Sequence, residues 1–365
     1  MDKLVCVPDF EKEAHKLLDN NSLQYYKSGA DDEITLQENK NAFKRWLIKP
    51  RMLRDVSNRT TKTMVLGKPV AFPLGLSPTA MQRLAHPNGE CANAQAAASM
   101  GTIFILSTIA TSSIEEVAGA APNGRKWYQL YVYKDRSLSL SMIQRAEKCG
   151  FEAIVLTVDA PYFGKRRSNI RDAFKLPPNL RLANFQESSK HSDAMSGKIG
   201  SAFAYHDTLL DQSLTWKDVK WLKSVTKLPI IVKGIMTSED AELACSFGVA
   251  GVFVSNHGAR QIDTVNPTID VLPEIVKQVK GRCEIYLDGG VTTGGDVFKA
   301  IALGANMVFA GRPFLWGLTV GGEAGAQKIL QIFKDELDLM MALTGVSSMS
   351  ELTSDFVTKD WKSHL

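Results

Sequence analysis

The segment Ser255-Asn-His-Gly-Ala-Arg-Gln261 sets an imidazole and a guanidinium three residues apart around a glycine, directly after the apolar run "GVAGVFV". A histidine titrates near neutrality and can take a proton, provided a carboxylate is at hand to stabilise the imidazolium. An arginine matches a carboxylate with two parallel hydrogen bonds. His257 and Arg260 therefore read as a general base beside an anion clamp, with Asp159 as the supporting carboxylate. The "GKRR" pair, Arg166 and Arg167, points to the same anionic substrate, although Arg167 equally fits a solvated loop. Lys233 fits either a Schiff-base amine or a cation facing an electron-rich ring, and its spacing does not choose between them. Of the six histidines, His257 is the one that ends an apolar run; His15, His86, His191, His206 and His364 fall in helix, loop or tail contexts.

These residues need a scaffold. Eight short apolar runs recur along the chain: "PVAFPLGLS", "GTIFILST", "KWYQLYVY", "EAIVLTVD", "LPIIVKGI", "GVFVSNHG", "EIYLDGG" and "NMVFAGRP". Runs apolar on both faces read as parallel strands, and the segments between them carry helical periodicity ending near glycine. The pattern predicts a (β/α)8 TIM barrel, with a helical extension over residues 1 to about 65 and a long polar loop, 183 to 213, after the fourth strand. The whole chain, 1–365, reads as a single domain with its barrel core at about 66–350. A dinucleotide-binding sheet would carry G-x-G-x-x-G, yet none of the 27 glycines fall two apart. Walker, H-E-x-x-H and Gly-x-Ser-x-Gly patterns are missing too, so the sequence offers no metal motif.

In such a barrel the chemistry sits at the C-terminal ends of the strands. There the sequence places Thr79, Ser107, Gln129, Tyr131, Thr157, Asp159, Lys233, Ser255, His257, Asp288 and Arg312. Glycines after the seventh and eighth strands, in "LDGGV" and "GRP", let backbone N–H groups approach an anion, which predicts a phosphate-bearing ligand of unspecified kind.

Composition narrows the partners. Net charge is +4 from 43 basic and 39 acidic side chains spread along the chain, which predicts no nucleic-acid partner. No apolar stretch approaches the ~20 residues of a membrane span and the N-terminus lacks a signal-peptide core, so a soluble protein is expected. The five cysteines contain no CxxC pair and fit a reducing compartment. The C-terminal Ser363-His364-Leu365 resembles the tripeptide read by the peroxisomal import receptor. A peroxisomal location is therefore expected, with the cytoplasm as alternative.

Taken in order, "YYKSGADDE", "SPTAMQRLAHPNGE", "QLYVYKDR", "TVDAPYFGKRR", "SNHGARQ", "LDGGV" and "GRP" with "LWGL" resemble the FMN-dependent 2-hydroxy acid oxidase family, which includes glycolate oxidase and the long-chain hydroxy acid oxidases. The likeness runs from about residue 4 to residue 350. It implies FMN as cofactor, a small 2-hydroxy acid as substrate, O2 as electron acceptor with hydrogen peroxide as product, and a homo-oligomer, often a tetramer. It further implies that His257 takes the hydroxyl proton while the α-hydrogen leaves as hydride, or takes the α-proton itself. Asp159 would support the imidazolium. Arg166, Arg260 and Tyr25 would hold the substrate carboxylate, and Tyr131 the substrate oxygen.

The implied flavin contacts are Pro78, Thr79 and Ala80, then Ser107, Gln129, Thr157, Lys233 and Ser255, then Asp288, Gly289, Gly290, Val291 and Thr292, and finally Gly311 and Arg312. Two positions depart from the family's pattern. Thr292 stands where the family usually has an arginine, and Ile109 stands where glycolate oxidases have a tryptophan against the substrate, which implies a substrate range not restricted to glycolate. A dehydrogenase using another electron acceptor, or a silent flavin binder, are the alternatives.

Overall fold

The computed structural model describes residues 1–172, 174–185 and 208–360. Eight strands, each parallel to its neighbours, close into a barrel. Before them come α1 (Val7–Leu17), α2 (Asn20–Lys27), α3 (Ile34–Arg45), β1 (Trp46–Ile48), and the hairpin of β2 (Thr63–Val65) and β3 (Lys68–Val70). The barrel strands are β4 (Leu74–Leu76), β5 (Ile103–Leu106), β6 (Arg125–Leu130), β7 (Ile154–Thr157), β8 (Ile230–Ile235), β9 (Gly251–Val254), β10 (Glu284–Leu287) and β11 (Met307–Ala310). Seven fall inside the apolar runs, and β6 starts one residue ahead of its run, at Arg125. Helices α4 (Gly89–Ser99), α5 (Ile114–Ala120), α6 (Arg136–Lys148), α7 (Arg167–Arg171), α8 (Trp216–Val225), α9 (Ser238–Ser246), α10 (Thr268–Val279), α11 (Gly294–Ala302) and α12 (Arg312–Thr344) follow their strands, and β12 (Val357–Lys359) ends the described chain.

The strands form because alternate residues bury against different layers. Ile103 and Ile105 point into the barrel with Trp127, Phe253, Tyr286 and Phe309. Phe104 and Leu106 point outward to the helices. The interior is thus a packed core, and its aromatic rings claim the space of two glycines. A Cβ on Gly75 would stand 2.6 Å from the Phe309 ring, and one on Gly251 would stand 2.5 Å from the Tyr286 ring. Reciprocal caps start the helices: Ser113 with Glu116, Thr215 with Asp218, and Thr293 with Asp296.

The extension departs from the helical expectation. Helices end at Arg45, and β1 pairs antiparallel with β12, Trp46 opposite Lys359. The β2–β3 hairpin turns at Leu66 and Gly67, both left-handed at φ 49° and 71°, as a two-residue hairpin requires. Its Val65 and Val70 join the interior cluster and plug the N-terminal mouth of the barrel. Neither feature was in the predicted pattern, because three-residue strands are too short to show a period. Most of the loop predicted at 183–213, and Ser363-His364-Leu365, lie outside the described residues. Among the described residues, no helix is long and apolar enough to cross a membrane.

Candidate active site

The strand ends open into one cleft, floored by β4 to β11 and walled by α2 and α3. Its lining includes, of the residues singled out in the sequence, Tyr25, Pro78, Thr79, Ala80, Ser107, Ile109, Gln129, Tyr131, Thr157, Arg166, Lys233, His257, Arg260, Asp288 to Thr292, Gly311 and Arg312. Asp159 and Ser255 stand one layer behind. Asp159 Oδ1 lies 2.9 Å from Nδ1 of His257, and Ser255 Oγ accepts from Lys233 Nζ at 2.8 Å and donates to Asp288 Oδ1 at 2.6 Å. Arg167 parts from Arg166: it turns outward to pair with Asp32, with Asp31 3.6 Å away.

The turn after β9 explains the opening motif. His257, Gly258 and Ala259 are all left-handed, at φ 57°, 63° and 63°. For two non-glycine residues this costs energy that surrounding bonds must offset. His257 N–H donates to Ser255 Oγ at 3.1 Å, and Ala259 N–H donates to Asn256 O at 2.9 Å. Asn256 exchanges paired amide bonds with Asn39 of α3, at 2.8 and 2.9 Å. Ala259 O accepts from Ala30 N–H at 2.8 Å, and Arg312 Nη1 donates to Gly258 O at 3.0 Å. The strained turn thereby throws His257 and Arg260 to the same cleft.

Electrostatics favour the neutral ring of His257. Burial pushes its pKa below the ordinary imidazole value; Asp159 pulls the other way, and Lys233 and Arg166 add to the depression. For Asp159, burial alone would raise the carboxyl, but its pairing with the His257 ring and the nearby Lys233 outweigh it and hold the group below its usual range. A neutral ring whose Nδ1–H is given to Asp159 leaves Nε2 as the acceptor.

Three guanidiniums crowd the same space. Burial depresses Arg166 and Arg260, and Arg166 lowers Arg260 further; burial likewise takes Arg312 down to about 10. An anion in the cleft would offset that cost. Arg260 also donates to Tyr25 O at 2.8 Å and Ser28 O at 2.9 Å, and its guanidinium lies 5.1 Å from the Tyr25 ring centroid. The Tyr25 ring in turn stacks on Phe174 at 4.5 Å. Tyr131 is buried, which raises its phenol far above the ordinary value and keeps it a donor.

Sequence reasoning missed Leu36, Asn39, Lys40 and Phe163, which line the cleft as well. The first three sit on α3, more than 200 positions from the residues they face, and no local spacing marks them. Phe163 lay within the quoted "TVDAPYFGKRR" but was passed over for its charged neighbours; it meets Tyr131 edge-on at 6.1 Å.

The cleft suits a flavin on its own evidence. Gln129 Oε1 accepts from Ser107 Oγ at 3.3 Å and Thr108 N–H at 3.1 Å, so its amide nitrogen faces the cleft. Among the described residues, that nitrogen and Thr157 Oγ1 are buried without a hydrogen-bond partner, which leaves room for a polar ligand in the cleft. Lys233 Nζ lies 3.3 Å from Asp288 Oδ2 and donates to Ser255 Oγ at 2.8 Å, which fixes it at the floor of the cleft.

A barrel with a His–Asp pair, clustered arginines and unpaired buried polar groups at its strand ends offers a site for an anionic substrate and a further polar ligand. The chain belongs to the FMN-dependent dehydrogenase family, whose model matches residues 14–359, and FMN is its cofactor. It is 48% identical to 2-hydroxyacid oxidase 1 of Homo sapiens over 360 residues, covering 98% of this chain and 97% of the human protein. It is 50% identical to glycolate oxidase 3 of Arabidopsis thaliana, covering 98% of this chain and 97% of that protein. Among solved structures it resembles mandelate oxidase with (S)-4-hydroxymandelic acid, with a TM-score of 0.90 and 38% identity over 97% of this chain and 98% of that one.

Proposed function

We propose that the protein oxidises (S)-2-hydroxy acids to 2-oxo acids and passes the electrons to O2, forming hydrogen peroxide. The observation that carries this reading is the His257–Asp159 pair at 2.9 Å, beside Arg166, Arg260 and Tyr131 in one cleft. Arg166 and Arg260 hold the substrate carboxylate, with Tyr25 beside them. Tyr131 donates to the substrate oxygen. His257 Nε2 takes the proton that substrate gives up, and the resulting imidazolium is held by the Asp159 carboxylate. Bound FMN supplies the two-electron acceptor. Gln129 and Thr157 would bind its polar groups, Lys233 would supply a positive charge beside it, and Pro78, Thr79, Ala80, Ser107, Asp288 to Thr292, Gly311 and Arg312 would complete the cradle, with Ser255 fixing Lys233 and Asp288.

Substrate is not restricted to glycolate. Ile109, buried at 4% exposure, and Phe163 give the cleft an apolar wall, and each methylene laid on such a wall contributes about 0.8 kcal/mol. The related oxidases named for glycolate and mandelate bracket the expected range from no side chain to an aromatic one.

The tail Ser363-His364-Leu365 addresses the enzyme to the peroxisome through its import receptor, which fits a peroxide-forming reaction. A homo-oligomer is the expected assembly. Exposed Met52, Leu53 and Leu343, on segments joined by the bond from Arg51 N–H to Thr344 O, support such an interface.

The decisive experiment mixes the flavin-loaded protein with glycolate, lactate, 2-hydroxyoctanoate and (S)-mandelate, first without air and then with it. Bleaching followed by stoichiometric peroxide is expected. Bleaching without peroxide would identify a dehydrogenase with another acceptor, and no bleaching with any acid would reduce the protein to a flavin binder.

A further inference from the structure

The Asp288–Thr292 turn and the Gly311–Arg312 start of α12 form one end of the cleft, at the loops where (β/α)8 barrels hold a ligand phosphate. That end is poor in available positive charge. Thr292 is neutral, and its N–H and hydroxyl both donate to Asp296 Oδ2, at 2.9 and 3.1 Å. Arg312 directs Nε, Nη1 and Nη2 to the carbonyls of Tyr26, Gly258 and Ser28, at 2.9, 3.0 and 2.9 Å. Lys299 gives its Nζ to Phe43 O at 2.8 Å. Carboxylates crowd in instead, for Glu336 Oε2 accepts the N–H of Gly294 at 2.6 Å.

Lys40 is placed to correct this. It lines the same cleft from α3, and α3 lies directly on the turn, since a Cβ on Gly290 would stand 2.1 Å from Asn39 O. The paired amides of Asn39 and Asn256 fix the helix there. The Lys40 ammonium stands 3.6 Å from Glu11 Oε2, beyond direct hydrogen-bond distance, and the side chain is 40% exposed. A long, loosely paired side chain of this kind can swing to a dianion at low cost. We propose that Lys40 is a cation of the FMN phosphate site, leaving Glu11 to donate its Nζ–H to a phosphate oxygen, and so supplies from the N-terminal extension the charge that Thr292 does not.

Riboflavin, which has the same ring and ribityl chain without the phosphate, separates this role from packing. The full-length protein, stripped of flavin, is titrated with FMN and with riboflavin by fluorescence quenching, in wild type, Lys40→Met and Lys40→Arg. Loss of one charge-assisted bond is expected to raise the FMN Kd of Lys40→Met about tenfold to a hundredfold, with the riboflavin Kd unchanged and Lys40→Arg close to wild type. Raised salt is expected to weaken FMN binding more in wild type than in Lys40→Met. An FMN Kd within about twofold of wild type in Lys40→Met would overturn the assignment, as would equal weakening of FMN and riboflavin, which would mark a structural role.

Discussion

Replacing Asp159 with asparagine isolates what the carboxylate does for His257. Asparagine keeps an oxygen that can accept Nδ1–H at the present 2.9 Å, so ring orientation survives while the charge goes. With the two charge centres about 4 Å apart, their attraction is about 4 kcal/mol at an effective dielectric of about 20. That attraction exists only after the proton has moved, because the neutral ring has no charge to attract. It therefore falls on the barrier, where about 1.4 kcal/mol is a factor of ten. Allowing for screening at the open lip of the cleft, Asp159→Asn should slow flavin reduction about 10²- to 10³-fold.

Anaerobic stopped-flow bleaching over a range of substrate concentrations reads this rate apart from oxygen chemistry and from binding. The substrate Kd from the same saturation curve should hardly move, since Arg166 and Arg260 are untouched. The pH profile gives a second sign. In wild type, burial should set the acid limb of kcat/KM below the ordinary imidazole value, and Asp159 is the largest influence raising it. Without the carboxylate the limb should move to still lower pH, because protonation of His257 becomes harder. A reduction rate within tenfold of wild type, or a limb that moves upward, would refute the assignment of Asp159 as the partner of the base.

His257→Ala should retain FMN, most of whose expected contacts lie on other strands, while flavin reduction falls about 10²- to 10⁴-fold; wild-type-like bleaching in a folded, yellow variant would remove His257 from the mechanism. Ile109→Trp should shift kcat/KM from 2-hydroxyoctanoate toward glycolate, and an unchanged ratio would pass control of substrate size to Phe163. Gly290→Ala adds a Cβ 2.1 Å from Asn39 O at a residue whose φ is +83°, so it should cost about 2 kcal/mol or more and speed FMN loss on dilution. A melting temperature equal to wild type would show that α3 does not press on the turn as described.

The barrel was legible because its strands are buried on both faces, so runs such as "EAIVLTVD" stand out without alternation. The strand-end residues followed from the same reading, since a polar residue that ends an apolar run can hardly avoid the cleft. What stayed hidden depends on meetings between distant segments. Asn39 looks like any polar residue on a helix until Asn256 appears opposite it. Arg166 and Arg167 stand side by side in sequence, and only the direction of the chain entering α7 buries one and sends the other to Asp32. The β1–β12 pair and the β2–β3 plug are too short to announce themselves by period.

The paired amides of Asn39 and Asn256 join positions 217 residues apart, and Arg260 reaches back 235 residues to Tyr25. Closing loops of that length is slow compared with forming a local βα unit. A chain emerging from the ribosome makes α1 to α3 first, yet these helices have no turn to grip until β9 has been synthesised. The barrel wall can therefore assemble before the left-handed His257 turn is locked. The site should mature last, as the opening segment of the chain folds over the finished strands. Flavin affinity should arise with that closing step, so refolding followed by flavin fluorescence should lag behind refolding followed by far-UV circular dichroism.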